Sequence, residues 1–171
     1  MTKAVLAVTG GTGFVGRTLI RLARSQGHLV RALTRSPQAE QDGVEWISGA
    51  LDRPESLHML VKGSDAVIHV AGVVNAPDRA GFEAGNVAGT LAMIQATRDA
   101  GVRRFVHVSS LSAREPELSL YGKSKALAED EVRSSGLDWT MVRPPGVYGP
   151  GDLEMRDVFR MAKLGFIVLP P

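Results

Sequence analysis

Two side chains four residues apart raise the first chemical question. In Tyr121-Gly122-Lys123-Ser124-Lys125 a phenol and an ammonium share one face if the segment is helical. A phenol ionises near pH ~10, so it exchanges protons at neutral pH only when a neighbouring cation favours its phenolate. Upstream, a β-branched run ends in Val106-His107-Val108-Ser109-Ser110. A serine hydroxyl at the carboxyl edge of a parallel sheet could orient a substrate oxygen there. Ser110, Tyr121 and Lys125 are therefore candidate catalytic residues. Spacing alone leaves an exposed, chemically idle helix face as the alternative.

A second segment suits phosphate chemistry. Ala4-Val5-Leu6-Ala7-Val8 runs through Thr9 into Gly10-Gly11-Thr12-Gly13-Phe14-Val15-Gly16. Glycines at 11, 13 and 16 satisfy Gly-x-Gly-x-x-Gly, and those at 10, 13 and 16 satisfy its variant. A glycine loop between a strand and a helix lets the backbone approach a pyrophosphate, with the helix N-terminus supplying free N–H groups. A plain tight turn is the alternative, but position after a strand and before an amphipathic helix favours dinucleotide binding. At the end of the next strand Leu33-Thr34-Arg35-Ser36 carries no acid. NAD-selective sites use an acid there for the ribose hydroxyls. A guanidinium between Thr34 and Ser36 suits the 2′-phosphate of NADP, with NAD as the other possibility. A solvated loop arginine is the bland reading of Arg35.

The elements that must position these residues alternate in type. Strands are expected at about Ala4–Val8, Leu29–Leu33, Val44–Ile47, Ala66–Val70, Arg104–Val108 and Trp139–Val142, each apolar enough to be covered on both faces. Helices are expected at Phe14–Ser25, Pro54–Val61, Arg79–Ala100, Tyr121–Ser135 and Leu153–Leu164, with glycines just past four of their ends. The pattern predicts an α/β fold, a doubly wound parallel sheet with helices on both faces. Gly165–Pro171 reads as the start of another strand.

Composition narrows the function classes. The 171 residues are 44% hydrophobic and 22% charged, which fits one globular domain and excludes disorder. A net charge of +2 with no block of like charges argues against a nucleic-acid partner. No cysteine is present, which removes disulfides and thiolate chemistry and fits a reducing compartment, the cytoplasm by default. Ala66–Val74, the longest apolar stretch, is too short to span a bilayer. His28, His58, His69 and His107 lack ligand spacing, so no metal site is expected. His69 and His107 read as hydrogen-bonded structural histidines, and Trp46 and Trp139 as core. Gly-x-Ser-x-Gly, the hydrolase signature, is absent.

Taken together, Thr9–Gly16, Ala71-Gly72, Asn86-Val87-Ala88-Gly89-Thr90, Ser109-Ser110, Tyr121 with Lys125, and Arg143-Pro144-Pro145-Gly146-Val147-Tyr148-Gly149-Pro150 resemble the extended short-chain dehydrogenase/reductase superfamily in its NAD-dependent epimerase/dehydratase branch. The resemblance implies a Rossmann fold of strand order 3-2-1-4-5-6 and a Ser110, Tyr121, Lys125 triad. It implies that Gly10, Gly13, Phe14 and Val15 line the pyrophosphate, that Ala71 and Gly72 flank the adenine ribose, and that Pro144 to Val147 lie near the nicotinamide amide. It also implies that Asn86 supports the site by hydrogen bonding, and that helices around 79–100 and 121–135 pair in a homodimer.

The expected function is NAD(P)-dependent oxidoreduction or epimerisation at an alcohol or carbonyl carbon of a small-molecule substrate, a nucleotide sugar being one candidate. A non-catalytic NADP(H)-binding sensor or scaffold is the alternative. Three features depart from the family pattern. Relatives with Gly-Asp-Leu after the third strand reach adenine through the aspartate, whereas Gly49-Ala50-Leu51 leaves that contact to the backbone of Ala50 and Leu51, to Asp52 or to water. The interval from Ser110 to Tyr121 is short. Residues 1–150 are expected to form the cofactor domain and 151–171 to begin a truncated substrate lobe, which makes the chain a fragment.

Overall fold

The protein is described here from a computed structural model that covers residues 3–152 and 154–166. Its strands are β1 (Val5–Thr9), β2 (Leu29–Thr34), β3 (Val44–Ser48), β4 (Ala66–His69), β5 (Arg104–Val108) and β6 (Asp138–Val142). Between them run α1 (Phe14–Ser25), α2 (Pro54–Val61), α3 (Arg79–Phe82), α4 (Gly89–Asp99) and α5 (Leu120–Ser134), and α6 (Glu154–Lys163) follows β6. The sheet is parallel throughout, in the order β3-β2-β1-β4-β5-β6. This is the doubly wound order that the resemblance implies.

Alternation along β1 serves two cores. Ala7 belongs to a cluster with Leu57, Leu60, Val67, Met93, Phe105 and Val132, under α2, α4 and α5. Val8 points the other way, to Ile20, Ala23, Val30 and Ala32 under α1. Central strands are thus covered on both faces, as expected, but the edges are not. β6 has no fully buried residue, and Trp139 is 39% exposed rather than core. Its β-branched and aromatic composition is strand-forming in itself, and composition alone does not tell an edge strand from a central one. Trp46 on β3 does pack against the second cluster.

The expected continuous helix over 79–100 is interrupted. α3 passes through a π-type turn at Glu83–Ala88 before α4 begins. The cause is tertiary. Asn86 Oδ1 accepts from the Val73 amide at 2.7 Å, and its Nδ2 donates to the Val73 carbonyl at 2.9 Å and to Ser124 Oγ at 2.9 Å. Those bonds draw Asn86 inward while Val73 fills the space where a side chain on Gly85 would stand. Between β5 and α5 the chain forms two 3-10 turns, Leu111–Arg114 and Pro116–Leu118, which the sequence pattern does not reveal. Leu153 and residues 167–171, where the last helix was expected to start and a further strand to lie, are outside the described residues.

The glycine loop is fixed by close backbone contact. Gly10 has φ +71° and sits where a Cβ would be 2.7 Å from the Ala71 amide nitrogen, at the end of β4. A Cβ on Gly16 would fall 2.0 Å from the Gly10 carbonyl oxygen. Gly16→Ala must therefore push the start of α1 away from the loop, at an expected cost of about 1–3 kcal/mol from overpacking. Thermal melting checks this, and a melting temperature equal to wild type would show that the loop has room.

Candidate active site

The carboxyl ends of β1, β2, β4 and β5 open onto one cleft of about 2300 Å³. Gly10, Thr12, Gly13, Phe14, Val15, Gly16, Thr34, Arg35, Ala50, Leu51, Ala71, Gly72, Ser110, Tyr121, Lys125, Pro144 and Val147 all line it. Gly11 and Ser36 do not. A Cβ on Gly11 would point inward, 2.8 Å from Ile20 Cδ1. Ser36 closes a turn, its carbonyl accepting from Thr34 Oγ1 at 2.6 Å. Arg17 and Arg21, one turn apart on α1, reach the cleft as well, and the sequence reading passed over them.

One end of the cleft fits a dinucleotide phosphate. The helix α1 begins without a side-chain cap and without an acidic residue in its first turn, so the amides of that turn are not satisfied by protein side chains. Glycine at 10, 13 and 16 leaves the backbone bare in front of them. Arg35 has no ion-pair or hydrogen-bond partner among the described residues and lines the same cleft. Farther along, the Ala50 amide and carbonyl are both engaged by Ser56 Oγ, at 3.3 and 3.1 Å. Gly49, Leu51, Asp52 and Pro54 line the cleft beside it.

The other end holds the proton-exchange candidates. Ser119 caps α5, its Oγ accepting from the Gly122 amide at 2.9 Å, and this sets Tyr121 in the first turn. The Tyr121 ring lies 6.2 Å from that of Phe82. Ser110 Oγ accepts from the Ser112 amide at 3.2 Å, which opens the first 3-10 turn. Lys125, one turn after Tyr121, is only 4% exposed, and its Nζ donates to the Val108 carbonyl at 2.9 Å. Burial drives its pKa down from 10.5 to about 8, against the opposing pull of Glu129.

Beneath this end lies a polar layer that the sequence reading captured only in part. His69 is hydrogen-bonded, Nδ1 to Thr9 Oγ1 at 2.7 Å and Nε2 to Thr90 Oγ1 at 3.2 Å. His107, expected to be bonded likewise, stacks on His69 at 5.6 Å, and neither of its ring nitrogens has a partner among the described residues. Desolvation, with the Lys125 charge second, lowers its pKa to about 3, so it stays neutral. Glu129, Ser109, Ser124 and Arg143 also belong to the site's framework. A signal for Glu129 was present, since Tyr121, Lys125 and Glu129 lie at i, i+4 and i+8 of one helix.

A protein-family model described as NAD(P)H-binding matches residues 10–156. A ceramide reductase of Caulobacter vibrioides is 43% identical over 164 residues, covering 94% of this chain and 51% of that protein. A photosystem II assembly factor of Synechocystis sp. is 33% identical, covering 81% of this chain and 44% of that protein. Among solved structures, a short-chain dehydrogenase/reductase superfamily protein from Agrobacterium tumefaciens with bound NAD has 31% identity and a TM-score of 0.71, covering 81% of this chain and 48% of that one. The chain spans about half the length of the curated relatives it matches.

Burial of Lys125 has a measurable cost. Between pH 8 and its ordinary value of 10.5 the unfolded chain holds this proton and the folded chain does not. The penalty is thus full below pH 8 and is relieved as pH rises through that window. Lys125→Met is expected to be more stable than wild type at pH ~6 by about 1–3 kcal/mol, with the difference shrinking in alkali. Denaturant melts at several pH values check this. A less stable variant at low pH would show that the bond to Val108 outweighs desolvation.

Proposed function

The chain belongs to the NAD(P)H-binding family, within the short-chain dehydrogenase/reductase superfamily, and on that premise we propose that it serves a reductase acting on a ketone or aldehyde carbon, with NADP(H) preferred to NAD(H). The observation that supports the reading is that Ser110, Tyr121 and Lys125 line the same cleft as the bare glycine loop. In this reading residues 1–150 bind the cofactor and the segment from 151 leads into the substrate lobe.

When bound, the nicotinamide supplies or accepts a hydride at the substrate carbon. The Tyr121 hydroxyl then gives its proton to the carbonyl oxygen as charge develops there, and takes it back in the oxidative direction. Ser110 Oγ donates a hydrogen bond to the same oxygen. The Lys125 ammonium stabilises the negative charge left on the phenol oxygen. Asn86 keeps this helix face in place through Ser124, which neighbours Lys125. Leu111, Leu118, Val147 and Tyr148 line the cleft and are exposed, so this side offers an apolar rim. Together with the similarity to a ceramide reductase, the rim favours a long-chain oxo substrate over a sugar nucleotide. A second reading, cofactor binding without turnover, draws on the similarity to the assembly factor.

Tyr121→Phe is expected to abolish NADPH oxidation with long-chain oxo compounds while leaving NADPH affinity nearly unchanged, because the ring is kept and the proton is lost. Normal turnover with phenylalanine at 121 would assign the acid to another group, and absence of turnover in the wild-type protein against oxo-lipids, ketones and nucleotide sugars would favour the second reading.

Arg35→Ala removes a charge-assisted contact, so calorimetry should show NADP binding weakened by roughly tenfold to a hundredfold with little change for NAD. Tighter binding of NAD than NADP by the wild type would overturn the proposed preference.

A further inference from the structure

Three consecutive residues at the end of β5 each meet a different group. The Val108 carbonyl accepts from Lys125 Nζ at 2.9 Å, Ser109 Oγ donates to Glu129 Oε1 at 2.6 Å, and Ser110 faces the cleft. Glu129 takes the middle one of these contacts and stands one helical turn after Lys125 on α5. Its side chain is 1% exposed, yet it takes the Arg143 guanidinium on both oxygens, Nε to Oε1 at 2.8 Å and Nη2 to Oε2, and Arg133 Nη2 on Oε2 at 2.7 Å. Arg143 is the residue after β6 and precedes Pro144, whose carbonyl accepts from the Leu111 amide at 2.9 Å. The carboxylate thus ties α5 to the end of β5 and to the strand-end loop that carries Pro144 and Val147.

We infer that Glu129 is a positioning residue for the reaction proposed above: its carboxylate clamps the ends of β5 and β6 together beneath the cleft and supplies the negative charge that the Lys125 ammonium depends on. The inference rests on the assignment of Tyr121 and Lys125. The buried carboxylate pairs directly with two cations, Arg133 and Arg143, and a third, Lys125, stands one helical turn before it with its ammonium on the Val108 carbonyl. Removing its charge leaves three positive groups around one neutral amide, and Lys125 is the only one of the three that is nearly fully buried and able to shed its proton near neutral pH.

The remaining groups around Lys125 do not substitute for it. β4 brings His69 and β5 brings His107, both held neutral by burial. The π turn and α4 bring the uncharged Asn86 and Thr90. Arg79 and Glu83 are paired with each other at the surface. The two 3-10 turns carry Arg114, Glu115 and Glu117 on exposed positions, with Glu117 paired to Lys123. On α5 itself Asp130 is exposed and paired with Arg133.

Two variants of the full chain separate a charge role from a purely structural one. In lysine labelled with nitrogen-15, the Lys125 side-chain resonance, assigned by its loss in Lys125→Met, reports the ammonium directly and needs no cofactor or substrate. Glu129→Gln is expected to lower the Lys125 midpoint by about one pH unit, because the attractive charge is gone and two arginines remain. Arg143→Gln is expected to raise it, because Glu129 then acts on Lys125 with one competitor fewer. A clamp with only a structural role would loosen in both variants, admit water, and move Lys125 upward in both. An unchanged or raised midpoint in Glu129→Gln overturns the inference. If that variant does not fold, Arg143→Lys carries the test in its place: it keeps the positive charge and loses the two-point contact with Glu129, so a charge role leaves the Lys125 midpoint at its wild-type value, and a raised midpoint there overturns the inference. Should the midpoints move as expected while Tyr121→Phe retains turnover, the assignment of Tyr121 as the acid falls and the clamp stands.

Discussion

Everything at the site follows from the parting of β1 and β4 at their carboxyl ends. The chain leaves β1 through α1 toward one edge of the sheet and returns at β4 to build toward the other, so the two crossovers diverge from a pair of adjacent strands. A crevice must open between them. The backbone closes its floor by direct contact, with Gly10 of the first loop lying against Ala71 of the second. A side chain at Gly10 would prop this junction apart, and one at Gly16 would push the start of α1 off the first loop. The loop glycines are therefore required by packing, and the bare amides that suit a phosphate are a product of the same closeness.

Along the face covered by α4 and α5, the sheet changes character as it approaches the crevice. Val67 and Phe105 are apolar and fully buried. One step further along the same face stand His69 and His107, then Ser109, with Lys125 and Glu129 descending from α5 to meet them. Polar groups this deep are costly without partners, and most here have them. His107 is the exception. Its neutrality means that Lys125 shares the layer with no second cation from the sheet, and Glu129 acts on it without competition from that side. The two arginines compete from the outer, half-exposed side instead.

Legibility in the sequence tracked the range of the forces involved. Strand and helix order could be read because β-branched runs, first-turn Pro54 and helix-ending glycines act locally. Gly10 to Gly16 and the Tyr121 to Lys125 spacing are also local patterns, and the structure brings both to one cleft. What could not be read depends on contacts distant in sequence. The π turn exists because Asn86 bonds to Val73 and Ser124, and Trp139 is exposed because its strand lies at an edge. Ser36 turns back on Thr34, although its hydroxyl is of the right type for a phosphate. Glu129 was legible as the third member of a helical stripe, but its importance comes from Arg143 and Ser109, which arrive from two different strands.

The π turn at Glu83–Ala88 also makes the residue count between Arg79 and Asp99 a phase setting. A π turn takes up one residue more than an α turn, so α4 is rotated by roughly 100° from where an uninterrupted helix would carry it. Loss of one residue within 83–88 would leave a more regular helix. It would also carry either Asn86 away from Val73 and Ser124, or Thr90 and Met93 away from the sheet, because both sets are held now only by being out of step with each other. Length in this segment is thus constrained as tightly as residue identity, and a shorter version could match it at nearly every position yet face its neighbours with the wrong side.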